Sequence, residues 1–196
     1  MFIALLDYLH TNTEVPCEEY DKSREELGGK NSFTMDDKRL EQQLHKLELE
    51  IHYSFRQISW LKKAMSAILV EVSGEGKNHK EYENEGLATV GDTILKTYLA
   101  DKIYRSGITT KGMITTEKEK YENNDILFRV INDLGWIKYA YNERFFYEES
   151  PLENRVSNPS HSPYIEAIIG AIYYDSNMDT VRRWIGRILM PILAKY

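Results

Sequence analysis

Two carboxylates seven residues apart lie in a segment that the apolar pattern predicts to be helical. Glu85 and Asp92 are separated by two helical turns, so both side chains fall on one face. Gly91 stands between apolar residues in the same segment, where glycine costs about 1 kcal/mol relative to alanine. A helix accepts this cost where another backbone passes close by. The pattern therefore predicts a close helix crossing. The simpler interpretation of the two acids is that both are solvated and have no chemical role.

A third carboxylate, Glu166, opens a second segment that carries no further charge until Asp175 and that also contains a glycine, Gly170. The helix dipole favours an acid in the first turn by roughly 0.3–1 kcal/mol, which explains Glu166 without a functional role. The alternative hypothesis is that Glu166 faces Asp92 where the two glycine-bearing helices cross. The two acids would then hold a divalent cation together.

The elements that position these residues are predicted to be helices, because apolar residues recur at helical spacing and strands are hard to find. A turn-rich loop at 148–163 separates the last two helices, and Ser162 and Pro163 are predicted as the N-cap and first residue of the helix that carries Glu166. The sequence predicts an all-α bundle with helical stripes at Leu40–Ile51, Ile58–Leu69, Leu87–Ile103, Ile114–Leu134, Ile165–Tyr174 and Asp179–Leu193, the last ending or kinking near Pro191.

The composition is that of a globular protein of 196 residues, with 42% hydrophobic and 29% charged residues. The net charge of −6 argues against a global positive field for nucleic acid, but residues 1–35 hold much of the excess acid. We therefore divide the chain into an acidic extension (1–35) and a helical domain (36–196). The single cysteine, Cys17, excludes a disulfide framework, and the apolar run Met1–Leu6 is too short to span a membrane. We expect an intracellular, cytoplasmic protein without a membrane segment.

Two segments of the chain, with their order and separation, resemble the ribonuclease III family. Residues 84–92 (Asn-Glu-Gly-Leu-Ala-Thr-Val-Gly-Asp) are similar to the family signature, and residues 166–175 match its later helix almost residue for residue. Two further stretches agree, at Tyr53–Phe55 with the helix that follows, and at Gly112–Thr115 with Lys118 and Asn123. The resemblance covers roughly residues 44–190 and implies a ribonuclease III-type helical domain.

The activity that the resemblance implies is cleavage of double-stranded RNA by a dimer that uses Mg²⁺, or Mn²⁺ in its place. Asp92 and Glu166 would be the metal ligands, and Glu85 a supporting or substitute acid at the same catalytic site. Lys118, Lys80 and Lys111 are candidates for phosphate contacts, although a solvated surface is the default interpretation of such lysines. The partner chain would be a second copy or a related ribonuclease III-fold protein.

The chain also departs from the pattern that the resemblance implies. Of four metal-binding carboxylates, two are replaced, by Ala88 and Pro163. Thr89 stands in place of an aromatic residue that inserts into the dimer partner, Lys111 in place of an acid, and Gly86 in place of a basic residue. Fewer carboxylates should weaken Mg²⁺ binding.

Three functions are therefore open at this point. The first is a magnesium-dependent endoribonuclease that acts at Asp92 and Glu166. The second is a catalytically silent relative that serves as an RNA-binding or structural subunit of a larger complex. The third is a helical scaffold without an RNA role that uses its acidic extension as an interaction tail.

Overall fold

The computed structural model describes residues 36–74, 77–142, 146–147 and 163–196. The predicted extension at 1–35 and the predicted cap Ser162 lie outside these residues. None of the described helices combines the length and the apolar content needed to cross a bilayer. The elements are α1 (Asp37–Ile51), α2 (Ile58–Ala64), β1 (Leu69–Gly74), β2 (Lys77–Tyr82), α3 (Glu85–Arg105), α4 (Lys111–Glu122), α5 (Asn124–Asp133), a 3₁₀ turn (Trp136–Tyr139), α6 (Tyr164–Asp175), α7 (Met178–Trp184), a π-helical turn (Ile185–Leu189) and α8 (Met190–Leu193).

The core is built around α6, in which every residue from Tyr164 to Ile172 is buried. A helix that is apolar nearly all round must be covered on all sides, and α3, α2 and α7 pack against it. The burial predicted for this helix is confirmed. Its predicted start is wrong by one position, because Pro163 lies just before the helix rather than in its first turn.

The helical stripe predicted for α1 is confirmed. Asp36 caps the helix by accepting a hydrogen bond from the backbone N–H of Lys38 at 3.1 Å. The stripe then buries its apolar side chains against the rest of the domain, at Leu40, Leu44, Leu47 and Ile51. A capped, regularly spaced stripe is the pattern that sequence reasoning finds most readily.

Two strands occur between the second and third predicted helices, in a stretch where the sequence predicted no strand. The stripe predicted to run to Leu69 ends at Ala64, and β1 then pairs antiparallel with β2 from Leu69 opposite Tyr82 to Gly74 opposite Lys77. Because β2 is almost entirely polar, it shows no alternation of apolar and polar residues that would reveal a strand. The hairpin is a small addition to a mainly helical chain, so the predicted all-α class is confirmed.

Two predicted helices differ in detail from the observed ones. The segment predicted as one helix from Ile114 to Leu134 is two, because Asn123 adopts an extended conformation and caps α5 with its Oδ1, which accepts from the N–H of Ile126 at 3.0 Å. Pro191 does not end the last helix, which continues to Leu193. The π-helical turn comes directly before α8, where the ring nitrogen of Pro191 can donate no helical hydrogen bond.

The loop between α1 and α2 is fastened by a buried carboxylate at the end of α6. Asp175 accepts hydrogen bonds from the hydroxyl of Tyr53 at 2.8 Å and from the backbone N–H groups of Arg56 at 3.0 Å and Gln57 at 2.9 Å. On the other side of the loop, Glu48 accepts from the N–H of Phe55 at 2.6 Å. Burial raises the pKa of Tyr53 to about 12, so its hydroxyl remains a donor.

We predict that Asp175→Ala lowers the free energy of unfolding by about 3 kcal/mol, because three donors lose a charged acceptor. Urea denaturation measures the change. The control is Asp179→Ala, an exposed acid in the first turn of α7, which should cost less than about 1 kcal/mol. Equal losses in the two variants would contradict the role assigned to Asp175.

Candidate functional site

The centre of the domain is a crossing of α3 and α6 at two glycines. A Cβ atom on Gly91 would overlap the backbone carbonyl oxygen of Glu166, and one on Gly170 would overlap the carbonyl oxygen of Leu87. Each helix therefore uses its glycine to let the other backbone approach. The close crossing predicted from Gly91 is present, and it puts Asp92, the next residue of α3, beside Glu166.

The crossing brings the carboxylates of Asp92 and Glu166 into hydrogen-bonding contact. Glu166 is only 8% exposed, whereas the side chain of Asp92 is 29% exposed. Since two ionised carboxylates repel each other, this contact favours the protonated form of Glu166. The pair has one enclosed member and one member that reaches solvent.

The proton is held mainly by Glu166. Burial and, after it, the adjacent charge of Asp92 together raise the pKa of Glu166 to about 7 from its ordinary value of 4.5. Lys96 opposes this effect. A carboxyl that changes its charge near neutral pH in a partly open site can bind either a proton or a cation.

Lysines from α3 and α4 accompany the acid pair. Lys96 lies one turn after Asp92 and donates to its Oδ2 at 2.7 Å, and this hydrogen bond raises the pKa of Lys96. On α4, Lys118 pairs with Glu122 at 3.1 Å. Besides burial and Asp92, the charge of Glu122 contributes to the raised pKa of Glu166, so α4 adds a third acid to this region.

Sequence reasoning missed Glu122 and Lys96. Each is spaced four residues from its partner, which is a signal for a helical ion pair that can be read from the sequence alone. That spacing does not reveal that α4 packs against α3, so it could not assign Glu122 to the same site as Glu166. Sequence reasoning missed these residues because it could not predict how the helices pack, not because the residue types were unsuitable.

The other residues predicted for the site lie in different places. Glu85 begins α3, and within the described part of the chain its carboxylate makes no hydrogen bond to Asp92 or Glu166. Lys80 is exposed on β2, 3.8 Å from Glu71, and Lys111 is exposed at the start of α4. Of the three predicted RNA-binding lysines, Lys118 pairs with Glu122, the acid on α4 whose charge contributes to the raised pKa of Glu166.

The two positions at which the sequence lacks an expected acid are occupied by residues without oxygen ligands. Ala88 lies on α3 and is 4% exposed, and Pro163 lies just before α6. Thr89, where an aromatic side chain was implied, is exposed and donates its hydroxyl to the carbonyl of Glu85 at 2.9 Å. The structure supplies no substitute carboxylate at these positions.

The donor set is suited to Mg²⁺ even though it is small. Among the described residues, no three or more His, Cys, Asp or Glu side chains are grouped closely enough to hold a metal ion. Mg²⁺, however, is usually held by one or two carboxylates together with substrate phosphates and several waters. Asp92 and Glu166 provide such carboxylates, and Glu122 Oε2 is a buried oxygen without a hydrogen-bond partner. These residues fit a hydrated divalent cation.

Known proteins resemble this chain in sequence and in fold. A family model described as the ribonuclease III domain matches residues 85–177. A curated protein called ribonuclease 3 from Fusobacterium nucleatum is 31% identical over 137 residues, which cover 69% of this chain and 56% of that protein. The ribonuclease 3 of Caenorhabditis briggsae is 26% identical over 153 residues, covering 78% of this chain and 14% of that protein. The chain thus corresponds to a part of each relative.

The nuclease domain of ribonuclease III from Campylobacter jejuni is similar in structure. Its TM-score against this chain is 0.58 at 21% sequence identity, and the match covers 78% of this chain and 96% of that domain. At this level of identity the likeness shows a shared fold. That fold is the ribonuclease III-type helical bundle that the resemblance implied.

We predict that Gly91→Ala lowers the free energy of unfolding by about 3 kcal/mol, because the new methyl group meets the backbone of Glu166. Thermal or urea unfolding measures it. Gly86→Ala is the matched control on the same helix, since a Cβ there meets no atom within 4 Å. The control should stay within about 1 kcal/mol of the native chain, on the more stable side. Similar losses in both variants would contradict the close crossing.

We predict that Glu166→Gln makes the metal-free protein more stable than the native chain at pH 8, on the order of 2 kcal/mol, and equal to it near pH 4. The folded state holds the Glu166 proton more tightly than the unfolded chain, with a pKa of about 7 against 4.5. The native chain therefore loses stability as pH rises between these values.

Denaturation in EDTA at several pH values measures the difference. The control is Glu119→Gln, which removes an exposed acid from α4 and should change stability by less than about 0.5 kcal/mol at either pH. A stability difference between Glu166→Gln and the native chain that does not depend on pH would contradict the prediction.

Proposed function

The chain belongs to the ribonuclease III family, and from that premise we propose that it hydrolyses phosphodiester bonds of double-stranded RNA at Asp92 and Glu166. The observation that carries the proposal is the hydrogen-bonded carboxyl pair at the crossing of α3 and α6. Burying a carboxylate beside another acid costs free energy, and such costs are typical of functional sites rather than of stable cores.

Asp92 and Glu166 would hold Mg²⁺, with Mn²⁺ as an alternative, through their carboxylate oxygens. A bound divalent cation activates water and neutralises the charge that develops on the phosphate oxygens. Glu166 must give up its proton to act as a ligand, so affinity for the cation should rise with pH through about 7. Asp92, being more exposed, faces the solvent from which the cation and the RNA arrive.

Recognition of the RNA would rely on its backbone. A-form duplexes are recognised mainly by shape, through phosphates and 2′-hydroxyls, so no base-reading motif is needed. Of the three predicted lysines, Lys118 pairs with Glu122, whose charge acts on Glu166, and it is the first candidate for a phosphate contact. Lys80 and Lys111 are exposed and remain predictions, as do dimer formation with a like or related chain and an intracellular, cytoplasmic location.

A second candidate function is a catalytically silent subunit that binds RNA or a protein partner. The observation that favours it is the loss of two implied ligands, since Ala88 is buried without an oxygen donor and Pro163 offers no carboxylate. Such a subunit would cut no RNA with any divalent cation. Its affinity for duplex RNA or for a partner would not change when EDTA is added.

Cleavage of a long, perfect RNA duplex in millimolar Mg²⁺ tests the proposal. We expect Asp92→Asn and Glu166→Gln to lower the rate by about 100-fold or more, because a catalytic cation contributes several kcal/mol to the transition state. The exposed Glu119→Gln serves as the control and should cleave like the native chain.

Two results would contradict the proposal. Activity that survives both substitutions would rule out this site. A native chain that cleaves no duplex in Mg²⁺ or Mn²⁺, yet binds it equally in EDTA, would establish the silent alternative.

A further inference from the structure

Glu122 on α4 uses only one of its two carboxylate oxygens in an ion pair. The side chain of Glu122 is only 13% exposed, and its Oε1 lies 3.1 Å from the Nζ of Lys118. Its Oε2 is buried and has no hydrogen-bond partner within the part of the chain that the structure describes. Leaving a buried polar atom unsatisfied costs about 1–3 kcal/mol, and more for a charged group, so this oxygen calls for an explanation.

Glu122 lies in the electrostatic range of the acid pair. Its charge acts on Glu166 from α6 and on Lys96 from α3, although neither effect is the largest on either group. The helix that carries it packs against α3. Acids from three helices thus lie within electrostatic range of one another. Two of them are paired with lysines, Asp92 with Lys96 and Glu122 with Lys118.

We propose that Glu122 is a further positioning residue of the site, with its free Oε2 accepting hydrogen bonds from the water shell of a cation that Asp92 and Glu166 hold. The inference rests on the function proposed above. It gives this chain a third acid that neither the sequence signature nor the comparisons assign.

The proposal assigns Glu122 to the water shell rather than to direct ligation. No group of three or more His, Cys, Asp or Glu side chains among the described residues could hold one ion together. Mg²⁺ keeps several of its waters when it binds to protein, and those waters need acceptors. Groups that bind the water shell commonly change metal affinity by about 10- to 100-fold, although they touch no metal.

The same arrangement assigns opposite effects to the two members of the α4 ion pair. Glu122 attracts the cation and orders its waters, whereas the ammonium of Lys118 repels the cation and occupies one oxygen of Glu122. If the ion pair had a purely structural role, the loss of either member would change Mg²⁺ affinity equally. Substituting each member separately therefore distinguishes the two explanations.

The test is a calorimetric titration of the full chain with Mg²⁺ alone at pH 8, in the absence of RNA. We expect Glu122→Gln to weaken Mg²⁺ affinity about 10-fold. Glu119→Gln, on the same helix but exposed, should bind Mg²⁺ like the native chain. Lys118→Gln should bind it at least as tightly as the native chain. Unfolding in EDTA shows that each variant is folded before it is titrated.

The outcomes separate this inference from the function on which it rests. If Asp92→Asn abolishes binding while Glu122→Gln binds like the native chain, the role of Glu122 is wrong and the proposed metal site stands. Equal losses in Glu122→Gln and Lys118→Gln would likewise overturn it, in favour of a structural ion pair. A native chain that binds no Mg²⁺, or whose binding is unaffected by Asp92→Asn, would overturn both.

Discussion

The contact on which the site depends is the approach of two helix backbones at Gly91 and Gly170. Because neither residue carries a Cβ, the carbonyl oxygen of one helix reaches the backbone of the other, and α3 and α6 lie closer than helices with side chains at the contact can. The same approach fixes the distance between Asp92 and Glu166. A single steric constraint therefore defines both the packing of the core and the chemistry available at its edge.

The acids around this crossing differ in their burial and in the charges that neighbour them. Glu166 is enclosed and holds a proton near neutral pH, while Asp92 is open to solvent and paired with Lys96. The pair on α4, Lys118 with Glu122, adds one charge of each sign nearby. Since low-dielectric surroundings strengthen every one of these interactions, moving one charge changes the others.

The sequence predicted the close crossing from a glycine in mid-helix, and it offered the facing of Asp92 and Glu166 as one of two interpretations. The two-turn spacing of Glu85 and Asp92 did not identify the partner of Asp92, which lies on the other helix. The sequence did not predict Glu122, because no local pattern states that α4 packs beside α3. The β1–β2 hairpin escaped for a related reason, since its polar second strand shows no alternation. The stripe of α1 and the buried helix α6 were found, whereas the break at Asn123 was missed although the side chain that caps α5 there is a local feature.

The enclosure of α6 links the carboxyl of Glu166 to the most protected part of the domain. Backbone amides of a helix covered on every side exchange with solvent only through large, cooperative openings. Because Glu166 belongs to this helix, we expect heat to abolish the acid pair in the same cooperative step that melts the domain.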